Sequence, residues 1–282
     1  MVATRLAVVA GRAVFVTGSA LEIVDVEQAS GGSLSSDPMQ CFALWPEVCQ
    51  VATSLSDSDG IAIDQDALEC PVPRPRQLFA VGINYKAHAA EMKNTLPAAP
   101  LVFTKFQSAL NRPNGEITLF GDRCDWEAEL VAVVGTGGRD ISVSDAWDHL
   151  AGLCVGQDVS DRTLQYASTP PQFSLGKSRA GFAPIGPWVT DVATLARRDD
   201  LEMTCRVSGE VMQQTRTNDM IFDVPEIVSY LSGICELFPG DVIYTGTPSG
   251  VGAGRTPQRF LRAGDVIETT IQHLGTLTNG CK

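Results

Sequence analysis

The segment DWEAELVAVVG, residues 125–135, places two glutamates at the head of an apolar run. The run that follows Leu130 is apolar on both faces, which predicts a buried β-strand. Residues i and i+2 of a strand point to the same face, so Glu127 and Glu129 lie side by side. Like charges this close repel unless a proton or a cation lies between them. A divalent cation is the natural explanation, and the alternative is an edge strand with both glutamates in solvent.

A third carboxylate follows the next strand-like run. The segment GLCVGQ, residues 152–157, leads directly into Asp158. Three carboxylates with no nearby histidine or thiolate suit a hard, oxygen-preferring cation rather than zinc. We therefore predict that Glu127, Glu129 and Asp158 bind Mg²⁺ or Mn²⁺, with Ca²⁺ as a further option.

Short β-branched runs bounded by glycine, proline or aspartate surround this segment. They predict strands over residues 78–83, 101–106, 130–134 and 242–245. Helical spacing is confined to a few places, chiefly residues 85–92, 143–150 and 224–231. With 26 glycines and 16 prolines available for turns, the pattern predicts an α+β, β-rich fold with peripheral helices.

The first part of the chain differs from the rest. Residues 31–38 are rich in glycine and serine, and the segment CPVPRP, residues 70–75, holds three prolines. Because proline-rich segments of this kind are stiff connectors, we predict a small N-terminal domain, residues 1–72, before a larger domain, residues 73–282. The apolar start is interrupted by Arg12, and a β-hairpin explains it better than a signal peptide does.

Charge and cysteine content argue against several classes of protein. The 282 residues include 33 acidic and 21 basic side chains, a formal charge of −12, which disfavours binding to nucleic acid or to an anionic membrane. The apolar runs are too short for a membrane-spanning helix. The eight cysteines lack CxxC spacing, so we expect reduced thiols used as small apolar residues. A cytoplasmic protein that binds neither nucleic acid nor membrane is predicted.

Beyond these features, the chain resembles the fumarylacetoacetate hydrolase family in a series of short blocks between residues 78 and 279. Any one block is weak, but their common order and spacing are specific. The blocks are GINY (82–85) followed by His88 and Glu91, DWEAEL (125–130), QDVSDR (157–162), LGKS (175–178), PGDVIYTGTPSGVG (239–252) and GDVIE (264–268). The resemblance implies a catalytic domain built as a mixed β-roll, a homodimer, and a small 2-oxo or 2,4-diketo acid as substrate.

The resemblance also implies catalytic residues. It assigns the three carboxylates as metal ligands and Lys177 as a catalytic lysine that adds positive charge near an oxyanion. His88 and Glu91 are three residues apart, a spacing that places them on one helix face. A carboxylate favours the charged form of a neighbouring imidazole, so this pair can draw a proton from water. The alternative is an exposed pair that only supports the helix.

Three further positions match substrate-binding residues of the family. Arg162 is expected to orient ligands and Gln165 to bind substrate oxygens, whereas Thr247 is expected to bind the substrate carboxylate through its hydroxyl and backbone N–H. Lysines other than Lys177 are expected to be exposed. The sequence departs from the family pattern at Arg179, which either pairs with a second acidic group of the substrate or faces solvent.

Together these residues predict an enzyme. The first hypothesis is a divalent-metal-dependent hydrolase that cleaves a carbon–carbon bond of a 2,4-diketo acid, of the acylpyruvate or fumarylacetoacetate type. The alternative is an isomerase or decarboxylase of an oxo-dicarboxylate in aromatic catabolism, of the 2-hydroxyhepta-2,4-diene-1,7-dioate isomerase type. Both reactions pass through an enolate and share the metal and Lys177, so fold and site leave the choice open. The joint presence of these groups with His88 and Glu91 speaks against a non-enzymatic binding protein.

Overall fold

The computed structural model describes residues 4–18, 21–56, 59–93 and 95–282. Short strands dominate this part of the chain. They are β1 (Arg5–Val9), β2 (Arg12–Thr17), β3 (Glu22–Asp25), β4 (Ile61–Ala62), β5 (Leu68–Glu69), β6 (Leu78–Gly82), β7 (Leu101–Thr104), β8 (Leu110–Asn111), β9 (Cys124–Asp125), β10 (Ala128–Val134), β11 (Leu150–Gln157), β12 (Ser160–Asp161), β13 (Ala183–Asp191), β14 (Glu202–Val207), β15 (Glu210–Arg216), β16 (Val242–Tyr244), β17 (Val266–Ile271) and β18 (Gly275–Gly280).

Helices are short and connect the strands. They are α1 (Val26–Ala29), α2 (Pro38–Ala43), α3 (Trp45–Ala52), α4 (Lys86–Glu91), α5 (Arg162–Gln165), α6 (Phe173–Gly176) and α7 (Val224–Ser232). Turns of 3₁₀-helix lie at Gln65–Ala67, Gln107–Ala109, Ala146–His149, Val192–Thr194, Thr217–Asp219 and Gly252–Gly254. Among the described residues, none of the helices has the length and apolar character needed to cross a membrane.

The strands form a mixed architecture. Ten strands of the largest sheet follow the order β4–β3–β2–β1–β13–β11–β10–β16–β6–β7, with β5 beside β1 and β8 beside β13. The pairs β16–β6 and β13–β8 are parallel within an otherwise antiparallel sheet. A second sheet has the order β15–β14–β17–β18, and β12 pairs with β9. The predicted α+β, β-rich fold with mixed strand directions is confirmed.

Strand β10 lies in the middle of the large sheet and is buried along its whole length. Leu130 and Ala132 point into a core that includes side chains of the second sheet, and Val131 and Val133 point into another core. This alternation follows from the two-residue period of a strand covered on both faces. The predicted buried strand is confirmed, and the edge-strand alternative is wrong.

Four neighbouring strands of the large sheet have one end each on the same side of the sheet, which we call the shared strand end. The parallel strands β6 and β16 both finish at the shared strand end. Strand β10 is antiparallel to β16, and β11 is antiparallel to β10, so β10 begins there and β11 ends there. The residues before β10 and after β6, β11 and β16 therefore meet, although they are far apart in sequence.

The N-terminal segment continues the large sheet. The predicted hairpin is confirmed, since β1 pairs with β2 across the turn at Ala10 and Gly11. Strand β1 also pairs with β13, and Phe42 and Trp45 belong to the same core as Val131. The division into domains at residue 73 stays a prediction.

The cysteines behave as the composition indicates. All eight are free thiols. Burial raises the pKa of Cys70 and Cys205 to about 12, so both thiols stay protonated at neutral pH.

The predicted helix over residues 143–150 is wrong. The structure has only the 3₁₀ turn Ala146–His149 in this range. The Asp145 N–H donates to Ser142 Oγ at 3.2 Å, and that hydroxyl donates to the Asp145 carboxylate at 2.8 Å. Local side-chain bonds of this kind compete with the first turn of a helix. The predicted helices at 85–92 and 224–231 are confirmed as α4 and α7.

Candidate active site

Glu127, Glu129 and Asp158 form a buried group of carboxylates at the shared strand end, where β6, β10, β11 and β16 meet. Their side chains belong to residues that are 6%, 1% and 0% exposed, and one oxygen from each lies within 4.8 Å of the other two. Burial and the charges of Asp158 and Glu127 raise the pKa of Glu129 well above its ordinary value. Gly246 N–H holds this carboxylate by donating to Oε2 at 2.7 Å. An all-oxygen donor set this close and this buried fits a hard divalent cation.

Lys177 lies directly against this acidic group. Its Nζ is 2.7 Å from Glu127 Oε2 and 2.6 Å from Asp158 Oδ2. Burial disfavours the ammonium, but the two carboxylates outweigh this effect and raise the pKa of Lys177. Burial likewise opposes ionisation of Glu127, and Lys177 together with Arg162 lowers its pKa to about 2. The ion pair therefore persists inside the protein at neutral pH.

Lys105 contradicts the expectation that the other lysines are exposed. Its buried Nζ donates to Asp158 Oδ1 at 2.5 Å, to the Phe182 carbonyl at 3.1 Å and to the Lys177 carbonyl. Burial lowers the pKa of Lys105, although Asp158 acts in the opposite direction. The three acceptors match the three donors of an ammonium group. A lysine inside the apolar run 101–106 is the sequence signal that could have revealed it.

Arg162 is held by acidic side chains inside the protein. Its Nε and Nη2 donate to Asp125 Oδ2 at 2.9 and 2.7 Å, and Nη2 lies 2.6 Å from Glu127 Oε1. Nη1 donates to Gln165 Oε1 at 2.9 Å. The Gln165 NH₂ group therefore remains as a donor, with no acceptor among the described residues. Arg162 orients Glu127 and Gln165, and Asp125, which sequence reasoning missed, anchors Arg162.

The pair His88 and Glu91 lies on α4 as predicted. Nδ1 of His88 is 3.0 Å from Glu91 Oε2, and the Gly250 N–H donates to Glu91 Oε1 at 2.9 Å. Because a carboxylate can only accept at Nδ1, the neutral ring carries its hydrogen on Nδ1 and has Nε2 as its acceptor. With His88 only 8% exposed, the alternative of an exposed pair that merely supports the helix is wrong.

The Thr247 hydroxyl is occupied within the protein. It donates to the Ala128 carbonyl at 2.9 Å and accepts from Gln213 Nε2 at 2.8 Å. The backbone N–H of Thr247 has no acceptor in the described ranges of the chain. Of the two donors expected from the resemblance, the backbone N–H is available to a carboxylate, whereas the hydroxyl is used within the protein.

A pocket at the shared strand end is lined by most of the predicted site residues. Apolar side chains, including Phe103 and Phe173, form part of its wall. The predicted residues that line it are His88, Glu127, Arg162, Gln165, Lys177 and Thr247. Glu91 supports His88, and Glu129 and Asp158 complete the acidic group beside Glu127. The fold thus gathers every predicted site residue, whereas a larger open groove along residues 255–263 contains none of them.

Arg179 is partly buried and has partners within the protein. Its guanidinium binds Asp161 Oδ2 at 2.8 Å and lies 4.2 Å from the centre of the Phe120 ring. Asp161 caps α5, the helix that carries Arg162 and Gln165. Arg179 therefore stabilises the segment that presents these residues.

The chain matches the family described as fumarylacetoacetate (FAA) hydrolase, C-terminal, over residues 77–282. It is 41% identical over 211 residues to the bovine (Bos taurus) protein named oxaloacetate tautomerase FAHD2A, mitochondrial. That match covers 74% of this chain and 67% of the bovine protein.

Solved structures agree with this match. A crystal structure from Mycobacterium smegmatis, assigned provisionally as an HpcE protein, has a TM-score of 0.92 and 44% identity over 98% of both chains. Fumarylpyruvate hydrolase from Pseudomonas aeruginosa, in complex with Mn²⁺ and pyruvate, has a TM-score of 0.66 and 32% identity, covering 73% of this chain and 89% of the other. The chain therefore belongs to the fumarylacetoacetate hydrolase family, and it is an enzyme.

Proposed function

We propose that this enzyme catalyses proton transfer on a small 2-oxo dicarboxylic acid, with keto–enol tautomerisation of oxaloacetate as its reaction. The observation that carries the proposal is the position of His88: its Nδ1 is fixed by Glu91, and its ring lines the pocket that also contains Glu127 and Lys177. The bovine relative, named as an oxaloacetate tautomerase, supports the choice of substrate.

Each side chain has a role in enolate chemistry. Mg²⁺ or Mn²⁺ held by Glu127, Glu129 and Asp158 would supply a Lewis acid for the carbonyl oxygen of the substrate. The Lys177 ammonium provides positive charge where the enolate oxygen develops. Nε2 of His88 takes a proton from the carbon next to the carbonyl, and the imidazolium that forms gives the proton back, directly or through water, to the enolate oxygen, which completes the tautomerisation.

A second candidate is hydrolysis of a carbon–carbon bond in a 2,4-diketo acid. The structural neighbour from Pseudomonas aeruginosa, a fumarylpyruvate hydrolase in complex with Mn²⁺ and pyruvate, favours it. In this reaction His88 removes a proton from water instead of carbon, and the bond cleavage leaves an enolate beside Lys177. The isomerase or decarboxylase alternative likewise depends on stabilising an enolate.

A homodimer is also proposed. Exposed apolar side chains lie on neighbouring elements near the pocket, which is the kind of surface that a second copy can cover. They are Leu101, Phe106, Tyr166 and Leu175. The cytoplasmic location stays a prediction, since the bovine relative is mitochondrial.

The first prediction concerns His88. The Mn²⁺ form should convert enol-oxaloacetate to the keto form faster than buffer does, and His88→Ala should lose roughly 100- to 10,000-fold of that rate because the general base is gone. Loss of enol absorbance measures the rate. His149→Ala, a histidine bonded to the Thr136 carbonyl outside the pocket, is the matched control. An unchanged rate in His88→Ala would contradict the role, and cleavage of acetylpyruvate without tautomerisation would favour the second candidate.

The second prediction concerns the metal ligands. Asp158→Asn keeps the size of the side chain but removes one of three charges. It should therefore weaken Mn²⁺ binding by more than the ~10- to 100-fold typical of changes to residues that only support a metal ligand. Titration calorimetry measures the affinity. Asp122→Asn alters an exposed carboxylate outside the acidic group and should bind Mn²⁺ like the wild type. Equal affinities in the two variants would remove Asp158 from the ligand set.

The third prediction distinguishes a role of Lys177 in stabilising the enolate from a role in binding the metal. Lys177→Met removes a positive charge from Glu127 and Asp158, so Mn²⁺ affinity should stay the same or increase. Tautomerisation should nevertheless fall by about 100- to 1,000-fold, the loss expected when an oxyanion-stabilising group is removed. Calorimetry and the absorbance assay measure the two quantities. Loss of Mn²⁺ binding together with activity would show that Lys177 supports the metal site rather than the enolate.

The fourth prediction concerns assembly. Light scattering at micromolar concentration should give twice the chain mass of 30.1 kDa. A mass of one chain would contradict the dimer.

A further inference from the structure

We propose that Gln213 is a positioning residue for the substrate carboxylate. It fixes the Thr247 hydroxyl inside the protein and so presents the Thr247 backbone N–H to the carboxylate. The inference rests on the proposed 2-oxo acid chemistry and on the Thr247 N–H that the resemblance gives to the substrate carboxylate; what it adds is the residue that holds this N–H in place.

The loop after β16 uses nearly all of its donors within the protein. Thr245 donates through both its N–H and its hydroxyl to the Leu130 carbonyl, at 3.1 and 2.8 Å. Gly246 N–H donates to Glu129 Oε2 at 2.7 Å. A proline follows Thr247 and has no N–H. Over residues 245–248, the Thr247 N–H is thus the donor that has no acceptor among the described residues, and Thr247 lines the pocket.

The Thr247 hydroxyl cannot take the same role without losing an internal bond. A hydroxyl has one hydrogen to donate, and here the Ala128 carbonyl accepts it at 2.9 Å. Gln213 Nε2 donates to the hydroxyl oxygen at 2.8 Å. Turning the hydroxyl toward a ligand would leave a buried carbonyl without this bond, which carries a desolvation cost.

Gln213 is well placed to set the position of this loop. The residue is 1% exposed and lies on β15 of the second sheet. Its Oε1 accepts from Ala128 N–H at 2.9 Å, and its Nε2 donates both to Thr247 Oγ1 and, at 2.9 Å, to the Pro248 carbonyl. One amide therefore joins Ala128, which lies between the two glutamates, to the loop that carries the free N–H.

The space around the loop leaves little room for another arrangement. Gly246 has a φ of +104°, and a Cβ placed there would lie 2.6 Å from Asn84 Cβ. Only glycine is comfortable in this conformation and this close to a neighbour. The loop is therefore held from Gly246 on one side and from Gln213 on the other, which fixes the direction of the intervening N–H.

The test compares two ligands on the Mn²⁺-loaded protein by calorimetry. Oxalate carries carboxylates, whereas acetylacetone binds cations through two oxygens and has no carboxylate. Gln213→Met should weaken oxalate binding by about 10- to 100-fold, the range for loss of a hydrogen bond to a charged group. Acetylacetone and Mn²⁺ affinities should change by less than about twofold, because neither uses the carboxylate donor. Gln214→Met, the same change at the exposed neighbouring position, should match the wild type for both ligands.

A double-mutant cycle tests the hydroxyl. If the hydroxyl acts only within the Gln213 network, Thr247→Val and Gln213→Met should be non-additive, and the double variant should bind oxalate no more weakly than the worse single variant. Additive losses would show direct contact between hydroxyl and ligand and would overturn the proposal. Equal losses for oxalate and acetylacetone, unchanged oxalate binding in Gln213→Met, or no oxalate binding by the wild type would do the same.

Two features keep this test decisive. Should Gln213→Met fail to fold, Gln213→Asn adds no charge beside the anionic ligand and is one methylene too short to span Ala128 and Thr247, so it carries the same expectation. Oxalate binding also does not depend on turnover. A wild-type enzyme that binds oxalate but does not tautomerise oxaloacetate would refute the proposed function and leave the assignment of Gln213 to be judged by its own result.

Discussion

The mutual repulsion of Glu127, Glu129 and Asp158 is the constraint on which the rest of the site depends. These carboxylates are packed together where little water can screen them, and Asp125 adds a further negative charge nearby. Lys105, Lys177 and Arg162 offset much of this charge through direct contacts. Four acidic groups against three basic ones still leave one excess negative charge. Burial, together with the charges of Asp158 and Glu127, raises the pKa of Glu129, so a proton or a cation is favoured there.

The topology of the sheet makes this concentration of charge possible. Parallel pairing of β6 with β16, inside a mostly antiparallel sheet, brings the ends of four strands together. The cores on both faces of β10 hold these strand ends in place. The second sheet contributes Gln213, which contacts Ala128 at the start of β10. Chemistry and fold are linked here, because the strand that packs into two cores contains Glu129 and directly follows Glu127.

Local patterns in the sequence predicted the parts of the site whose members are close along the chain. Glu127 and Glu129 are in phase on one strand, and His88 and Glu91 are in phase on one helix turn. Lys105 and Gln213 escaped prediction because their partners are remote: Lys105 contacts Asp158, and Gln213 contacts Ala128. A helical or strand periodicity in the sequence cannot indicate contacts between residues that are so far apart along the chain. The helix predicted over 143–150 failed for the opposite reason, since bonds between Ser142 and Asp145 outweighed a weak helical pattern.

We propose that the three carboxylates hold one divalent cation next to the Lys177 ammonium. Diffraction from crystals soaked in Mn²⁺, collected to reveal the anomalous signal of manganese, tests it most directly. We expect one strong anomalous peak at coordination distance, about 2.0–2.6 Å, from an oxygen of each of Glu127, Glu129 and Asp158. Absence of a peak there, with Lys177 still bridging Glu127 and Asp158 and manganese bound elsewhere, would contradict it.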